Sequence, residues 1–495
     1  MFFDILQLVF SPGHILFLLI GTFTGVVIGA IPGLSGAMLI ALTLPLTFGM
    51  QPSHAVTLLV AQYVGSIGGG LLTAILLRIP GTPASMMTAI EGHPLARKME
   101  PARVIALGAS ASLFGGVVSA IVLILVSRPL ADLSLRFGKF EFFSLVVLSL
   151  VIVATITRGN RLRGLLAAAL GVLLAMPGTD HSSGMTRLTF GFWNMETGFG
   201  LLPLLLGLFG VTQAILSLTE PQAIAEKGDR VILSHVFLKL KQWREHFSNM
   251  LLSSLIGTWI GILPGIGANV GSIVAYSMAM SRSKKPEEFG KGSAEGLVAS
   301  EAGNNATVGG ALVPLVALGI PGSVIDAILI GALTIHNLIP GPLLFRTQPE
   351  VVYAMMSSAL IANFAMYAFI LLLIPVAARI ARVPAAIIAP AIILFCIVGV
   401  FAESNRMFDV YVMLAFGLVG IAFKTARIPI EPFVIGFVLA PLGEENLRSG
   451  LMISGGDWMP FLTRPLSGSF LAAALLMLLW PTISGLFKRR HGDMK

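Results

Sequence analysis

The sequence predicts an all-α polytopic membrane protein built from two inverted repeats with broken or re-entrant helices. Of its 495 residues, 56% are hydrophobic and only 11% are charged. A soluble domain carries about a quarter charged residues, so this composition excludes a water-facing surface. The 54 glycines and 28 prolines are scattered among apolar runs, and both are more frequent in membrane helices than in soluble ones. Helices that break and pack closely are expected.

The net charge of +8 is an orientation signal rather than a sign of nucleic-acid binding. Basic residues form short clusters between apolar runs, which the positive-inside rule assigns to the cytoplasm. These clusters are Arg97/Lys98/Arg103, Arg158/Arg161/Arg163, Lys227–Arg244, Arg282–Lys291, Arg379/Arg382, Lys424/Arg427 and Lys488/Arg489/Arg490. The exception is Arg128/Arg136/Lys139, which alternation of the crossings places outside. The single cysteine, Cys396, excludes a disulfide within the chain.

The apolar runs predict about 11 full crossings plus hairpins, because each is long enough for a hydrocarbon core of about 30 Å. Clear examples are 104–127, 140–157, 201–218, 351–378, 384–401 and 467–487. We expect a first inverted repeat over 1–220, divided into a broken-helix unit (15–96) and a four-span block (103–220), then a cytoplasmic linker (221–249). The second repeat (250–443) comprises a broken-helix unit (250–345) and a four-span block (351–443), and 444–495 supply a periplasmic loop, the last helix and a basic cytoplasmic tail. The N-terminus is expected in the periplasm and the C-terminus in the cytoplasm.

Two Pro-Gly motifs recur in the same order in the two broken-helix units. Residues 29–37 read GAIPGLSGA and residues 261–269 read GILPGIGAN, while residues 79–82 read IPGT and residues 320–323 read IPGS. Their order indicates an internal duplication. The first copy starts outside and the second starts inside, so the halves run in opposite directions. Inverted repeats with interrupted spans at matching positions are typical of secondary transporters, whose site lies near the membrane midplane.

The Pro-Gly steps predict the substrate site, since proline lacks a donor and glycine tolerates unusual dihedrals. Half-helix N-termini there favour a carboxylate, and freed carbonyls can hold a cation. The predicted substrate-binding residues are Pro32, Gly33, Leu34, Ser35, Gly36, Gly81, Thr82, Ser85, Pro264, Gly265, Asn269, Asn304, Asn305, Gly322 and Ser323. A kink or an interfacial turn is the alternative for each motif. The run GSIGGG at 65–70 is equally typical of a close helix-packing face.

Acidic residues near these motifs are few and therefore informative. Glu301 and Asp326, with Thr307, are the predicted ion-coupling residues, and carboxylates at an interface or paired with arginine are the alternative. The coupling ion is Na⁺ or H⁺; Na⁺ would bind at the same helix breaks, and no other metal or cofactor is expected. His93 and His336 follow their motifs by similar distances, as solvated loop residues or as parts of a gate.

At these motifs the sequence resembles the large membrane subunit of the tripartite tricarboxylate transporters, the TctA family. The resemblance rests on GAIPGLSG at 29–36, IPGTPA at 79–84, EGHP at 91–94, EAGNNA at 301–306 and LGIPG at 318–322, and it covers residues 15–445. It implies a bacterial inner-membrane carrier of citrate, tartrate or aromatic carboxylates, driven by an ion gradient. The implied partners are a small four-helix membrane subunit and a periplasmic solute-binding protein. Where the family pattern often reads Asp-Gly-Tyr-Pro, this chain keeps the acid and has His93 in place of the aromatic ring.

Other function classes fit the sequence less well. The chain has no Walker A pattern and no soluble segment longer than the loop at 220–249, which excludes ATP-driven transport by this chain alone. A channel or flippase would favour rings of like residues, and an intramembrane hydrolase would need a Ser/His or paired-Asp constellation. A separate capture protein would dock on loops 177–198 and 443–464, whose Trp193 and Trp458 are otherwise ordinary interfacial aromatics. A homo-oligomer stays open.

Overall fold

The computed structural model describes residues 11–156, 161–180, 184–219, 238, 240–377 and 385–492, and it is almost entirely helical. Arg158, Lys227, Arg379 and Arg382, which we predicted to face the cytoplasm, therefore lie outside the described residues, as does most of the linker at 221–249. In chain order the α-helices are α1 (Pro12–Gly29), α2 (Gly36–Thr43), α3 (Pro52–Leu77), α4 (Met86–Lys98), α5 (Pro101–Ser134), α6 (Lys139–Ile156), α7 (Arg161–Leu174), α8 (Leu201–Leu205), α9 (Thr212–Thr219), α10 (Leu240–Ile262), α11 (Gly267–Arg282), α12 (Ala294–Leu318), α13 (Val324–Ile335), α14 (Leu344–Thr347), α15 (Pro349–Leu373), α16 (Ala385–Ser404), α17 (Met407–Ala426), α18 (Ile430–Ile453), α19 (Met459–Thr463) and α20 (Pro465–Gly492).

Shorter elements complete the described chain. One-turn 3-10 helices occupy Leu44–Thr47, Pro83–Ser85, Trp193–Met195 and Pro286–Glu288, and a π-helical segment, Leu206–Val211, joins α8 to α9. Two strands, β1 (Gly178–Thr179) and β2 (Thr186–Arg187), pair antiparallel with Gly178 opposite Arg187. The chain packs into two compact units: a larger one formed by Met1–Asp132 and Leu201–Ile421, and a smaller one formed by Leu133–Gly200 and Ala422–Lys495.

The helices confirm an all-α polytopic membrane protein. Six described helical segments are long and apolar enough to span a membrane: α1, α3, α5, Leu201–Thr219, α15 and α17. Shorter apolar stretches lie at Gly36–Thr47, Val324–Ile335, Ile388–Ser404 and Pro465–Leu479. The described residues of the clear apolar runs named above fall mostly on helix. The total number of crossings and the boundaries of the repeats stay predictions.

In the smaller unit, ion pairs join the two segments that we expected as outer loops. Arg187 makes a bidentate hydrogen bond to Glu444, which raises the pKa of the Arg187 guanidinium. Arg448 pairs with Asp180 at 2.7 Å and with Glu444 at 2.7 Å. The second segment is less loop-like than expected, because α18 continues to Ile453. The predicted docking aromatics Trp193 and Trp458 are 73% and 57% exposed.

In the larger unit, glycines bring two helix pairs into close contact, α1 with α3 and α10 with α12. A Cβ added at Gly65 or Gly69 would lie 2.4 Å from the Thr22 carbonyl oxygen or 2.3 Å from that of Val26. A Cβ at Gly310 would lie 2.3 Å from a carbonyl oxygen of α10. Small residues let helix backbones approach in lipid, so the run at 65–70 is a helix-packing face.

The replacement Gly69→Val should lower the stability of the folded protein. Its new side chain meets the α1 backbone, which has no flexible end that could move aside, and such overpacking costs about 1–3 kcal/mol. The control is Gly49→Val, because a Cβ at Gly49 meets nothing within 4 Å. Thermal unfolding of the detergent-solubilised variants would measure the difference. Equal midpoints for both variants would disprove the close approach of α1 and α3.

Candidate functional site at paired helix breaks

The first Pro-Gly motif interrupts the chain between α1 and α2, at a segment that we call the Gly33 break (30–35). Gly33 has a φ of +88°, a region that L side chains rarely adopt, and the neighbouring Pro32 has no N–H to donate. Ser35 then starts α2, because its hydroxyl accepts a hydrogen bond from the Met38 N–H at 3.1 Å. Leu34 is buried, whereas Gly33 is exposed. The motif therefore ends one helix and starts another.

The second copy of this motif, the Gly265 break (263–266), separates α10 from α11. Gly265 and Gly267 have φ values of +73° and +68°. No side chain caps the start of α11, and Asn269 lies half-buried in its first turn. Pro264 is also half-buried. The two copies thus interrupt their helices in the same way but differ in the residue that starts the second half.

The other motif pair forms the Gly81 break (78–85) and the Gly322 break (319–326). Helix α3 ends at Arg78 and α12 ends at Gly319, each in the left-handed conformation with φ of 59° and 73°. At the Gly81 break, the Thr82 and Ser85 hydroxyls hydrogen-bond each other at 3.0 Å. At the Gly322 break, the corresponding bond runs from the Ser323 hydroxyl to the Asp326 carboxylate.

In each broken-helix unit the second break packs on the end of the helix that leads into the first break. A Cβ added at Gly81 would lie 2.2 Å from the Gly29 carbonyl oxygen, and one at Gly322 would lie 2.9 Å from the Gly261 carbonyl oxygen. The Gly265 N–H also donates to the Gly322 carbonyl at 2.8 Å. The predicted residues of the two motifs are therefore brought together within each unit.

The two broken-helix units also contact each other. The Tyr63 hydroxyl of α3 hydrogen-bonds the Ser323 hydroxyl at 3.1 Å, and Tyr63 is only 1% exposed. A Cβ added at Gly36 would lie 3.4 Å from the Ile325 side chain. Sequence reasoning missed Tyr63. The signal was available, since a tyrosine inside an apolar span needs a partner for its hydroxyl.

The predicted residues Glu301, Asn304, Asn305 and Thr307 lie in the middle of α12 rather than at a break. The Glu301 carboxylate accepts hydrogen bonds from the hydroxyls of Thr88 and Ser112, the latter at 2.7 Å, and from the Asn305 amide at 3.4 Å. It therefore ties α4 and α5 to α12. The Thr307 hydroxyl donates to the Asn304 carbonyl at 2.6 Å, within the same helix.

Several buried polar atoms have no hydrogen-bond partner among the described residues. They include both side-chain polar atoms of Asn304, Oδ1 of Asn305 and Oδ1 of Asp326. All three residues are at most 1% exposed. Leaving such a group unpaired costs about 1–3 kcal/mol, so these atoms suit a polar ligand that supplies the missing bonds.

Glu91 makes a second link between the two broken-helix units. Its buried carboxylate accepts hydrogen bonds from the Tyr276 hydroxyl at 2.6 Å and from the N–H groups of Gly290, Gly292 and Ser293. The link joins α4 to the loop between α11 and α12. The sequence drew attention to the motif at 91–94 but did not assign this contact.

The two histidines differ from the loop residues that we expected. His93 lies inside α4, where its Nδ1 is 3.0 Å from the Ile75 carbonyl oxygen. His336 ends α13, and its Nε2 is buried with no hydrogen-bond partner among the described residues. A gating role for either residue stays a prediction.

An all-helical membrane protein with two copies of a broken-helix unit, facing each other through polar side chains, has the architecture of a membrane transport protein. The family model described as "Tripartite tricarboxylate transporter TctA family" matches residues 15–435. The chain belongs to this family of transporter subunits. Membership makes it the large subunit of a tripartite system, which includes partner subunits, and confirms the resemblance that its motifs carry.

Two curated relatives from Agrobacterium vitis are similar to this chain. The "Uncharacterized 52.8 kDa protein in TAR-I ttuC' 3'region" is 33% identical over 476 residues, which are 96% of this chain and 94% of the relative. The "Uncharacterized protein in TAR-II ttuC' 3'region" is 33% identical over 234 residues, 47% of this chain and 97% of the relative. No solved structure matches the chain.

Replacing Glu91 by alanine should free the loop at 286–293 locally. Three backbone N–H groups lose their acceptor, so their amides should exchange with solvent at least about tenfold faster, as expected for the loss of charge-assisted hydrogen bonds. Hydrogen exchange with mass spectrometry on the purified protein measures this. Tyr276→Phe removes one donor only and should leave most of the protection. Unchanged exchange in Glu91→Ala would contradict the anchoring role.

Proposed function

We propose that this chain is the large subunit of a secondary active transporter that imports a di- or tricarboxylate, of the citrate, tartrate or aromatic-carboxylate class, by alternating access. A periplasmic binding protein would deliver the substrate, and a cation gradient would drive uptake. The observation that carries this proposal is the meeting of two matched pairs of helix breaks inside the larger unit. Family membership supports the transporter class.

The breaks offer the groups that carboxylate transport needs. Non-helical backbone at membrane depth is tolerated only where it is buried in protein or lines a cavity. The N-terminal ends of α2, α4, α11 and α13 follow the breaks, and helix N-termini favour anions. The unpaired oxygens of Asn305 and Asp326, with freed carbonyls, favour a cation such as Na⁺. Rocking of the broken-helix units around this site would alternate access.

Glu91 is our candidate for the cytoplasmic gate. The loop that it holds, 283–293, follows Arg282 and contains Lys291, and α4 ends at Arg97 and Lys98. The positive-inside rule assigns all four basic residues to the cytoplasm. The hydrogen bonds of Glu91 thus close that side in this conformation. Opening toward the cytoplasm would require their release.

The proposed setting is the bacterial inner membrane, with a periplasmic N-terminus and a cytoplasmic C-terminus. A small four-helix membrane subunit and a periplasmic solute-binding protein are the proposed partners. The segments 177–198 and 443–464 support docking of the binding protein, because ion pairs join them and Trp193 and Trp458 are exposed. Exposed aromatics at an interface are typical binding anchors.

Uptake by proteoliposomes tests the function. The chain would be reconstituted with its small subunit and supplied with the binding protein and radiolabelled citrate, tartrate or terephthalate. We expect saturable uptake that requires an imposed Na⁺ or pH gradient. Uptake that rises linearly with concentration would favour a channel, and chemical conversion without movement would favour an enzyme.

Replacing Gly33 or Gly265 by leucine should abolish this uptake without preventing membrane insertion. Both glycines have positive φ, so a leucine at either position strains the backbone of the break. The control Gly49→Leu introduces the same side chain at a position where a Cβ meets nothing within 4 Å. Wild-type uptake in both variants, at equal membrane levels, would refute the site.

A further inference from the structure

Corresponding residues of the two broken-helix units make corresponding contacts. In the first unit Gly69 packs on Val26 and Gly29 on Ser66; in the second, Gly310 packs on Thr258 and Gly261 on Thr307. The offset in residue number from Gly69 to Gly310 equals that from Ser66 to Thr307 and from Gly81 to Gly322. At this same offset Arg78 corresponds to Gly319, Tyr63 to Asn304, Thr82 to Ser323 and Ser85 to Asp326. The two units can therefore be compared one side chain at a time.

Corresponding positions differ in charge. The Gly322 break has the acid Asp326 where the Gly81 break has the neutral Ser85. The Gly81 break has Arg78 where the Gly322 break has Gly319. Arg78 is exposed and holds a left-handed backbone conformation with φ of 59°, which is uncommon for any residue other than glycine. Strain of this kind clusters at functional sites. One break is thus basic and the other is acidic.

The residue that crosses from the opposite unit also differs. Tyr63 reaches the Gly322 break and bonds Ser323. Both α11 and α12, the helix that carries its counterpart Asn304, contact the 3-10 helix of the Gly81 break. From the correspondence with Tyr63 we infer that Asn304 faces that break. Asn304 is fully buried, and neither its amide nitrogen nor its oxygen has a partner among the described residues. Its amide therefore has an unused donor for a ligand.

A further unpaired hydroxyl lies at the Gly81 break. The Thr73 hydroxyl is 2.9 Å from the position of a Cβ on Gly81, and it is buried without a hydrogen-bond partner among the described residues. At the Gly322 break, by contrast, the unpaired atom is Oδ1 of Asp326, an acceptor when the acid is ionised. Hydrogen-bond donors therefore predominate at the Gly81 break, whereas an unpaired carboxylate oxygen lies at the Gly322 break.

We propose that the Gly81 break binds the carboxylate substrate through Thr82, Ser85, Asn304 and Arg78, and that the Gly322 break binds the coupling cation through Asp326 and Ser323. This assignment rests on the proposed function and divides the site between the two units. An ionised Asp326 repels a carboxylate and attracts a cation, whereas amide and hydroxyl donors with an arginine satisfy a carboxylate. The Gly81 and Gly322 breaks thus have corresponding backbone segments, and their different side chains determine which ligand each break binds.

Equilibrium binding to the purified chain with its small subunit, in nanodiscs, tests the division. The probes are ²²Na⁺ and radiolabelled citrate, tartrate or terephthalate, each titrated in Na⁺ and in choline buffer. Asn304→Leu and Ser85→Ala should raise the half-saturating carboxylate concentration at least about tenfold in both buffers, the effect of losing a hydrogen bond to a charged group. Their ²²Na⁺ binding without carboxylate should stay within about threefold of wild type.

Asp326→Asn should do the reverse. Its half-saturating ²²Na⁺ concentration should rise at least about tenfold, and its carboxylate binding in choline buffer should equal that of the wild type. The matched control is Ser358→Ala, which removes a buried unpaired hydroxyl outside the four breaks and should change neither ligand. If the wild type binds no ²²Na⁺, the cation is H⁺, and Asp326→Asn should then abolish the pH dependence of carboxylate binding.

Three results would overturn the assignment. They are weaker ²²Na⁺ binding with normal carboxylate binding in Asn304→Leu, weaker carboxylate binding by Asp326→Asn in choline, and loss of cation dependence in Glu301→Gln but not in Asp326→Asn. A wild-type complex that binds Na⁺ but none of the three carboxylates would refute the proposed substrate class instead, so the two failures are distinguishable.

Discussion

The contact between two helix breaks inside each broken-helix unit is the constraint on which the rest of the larger unit depends. Broken backbone at membrane depth has no water to bond with, so it must be enclosed by protein or line a cavity. Here Gly81 and Gly322 pack against the carbonyls of Gly29 and Gly261, at distances that leave no room for a Cβ. The glycines along α1, α3, α10 and α12 permit the same closeness beyond the breaks. Helix packing and the position of the breaks therefore have one cause.

The polar side chains around the breaks can be compared between the two broken-helix units. The Tyr63 hydroxyl hydrogen-bonds Ser323, whereas the amide of Asn304, at the corresponding position, has no partner among the described residues. Under our proposal, matched backbones with different side chains give the two breaks opposite ligand preferences. A carrier that couples an anion to a cation needs such a pair, because the two charges stabilise each other when both are bound.

The fold class and the four breaks follow from the sequence, because hydropathy and Pro-Gly steps act locally. The hydrogen-bond partners of individual polar residues do not follow from the sequence. Glu301 belongs to the second broken-helix unit, yet its carboxylate accepts a hydrogen bond from Thr88 on the first unit's α4. Tyr63 and Glu91 have partners more than a hundred residues away. Such pairs depend on tertiary packing, which spacing along one chain does not reveal.

Three buried acids show how bonding separates these roles. Glu91 has four donors, three of them backbone N–H groups, so breaking its contacts costs several charge-assisted hydrogen bonds and moves a loop. Glu301 has donors from Thr88, Ser112 and Asn305, which join three helices. Asp326 bonds the neighbouring Ser323 and leaves Oδ1 without a partner among the described residues. A carboxylate with donors on both oxygens holds elements of the fold together, whereas one with an unpaired oxygen has capacity left for a ligand.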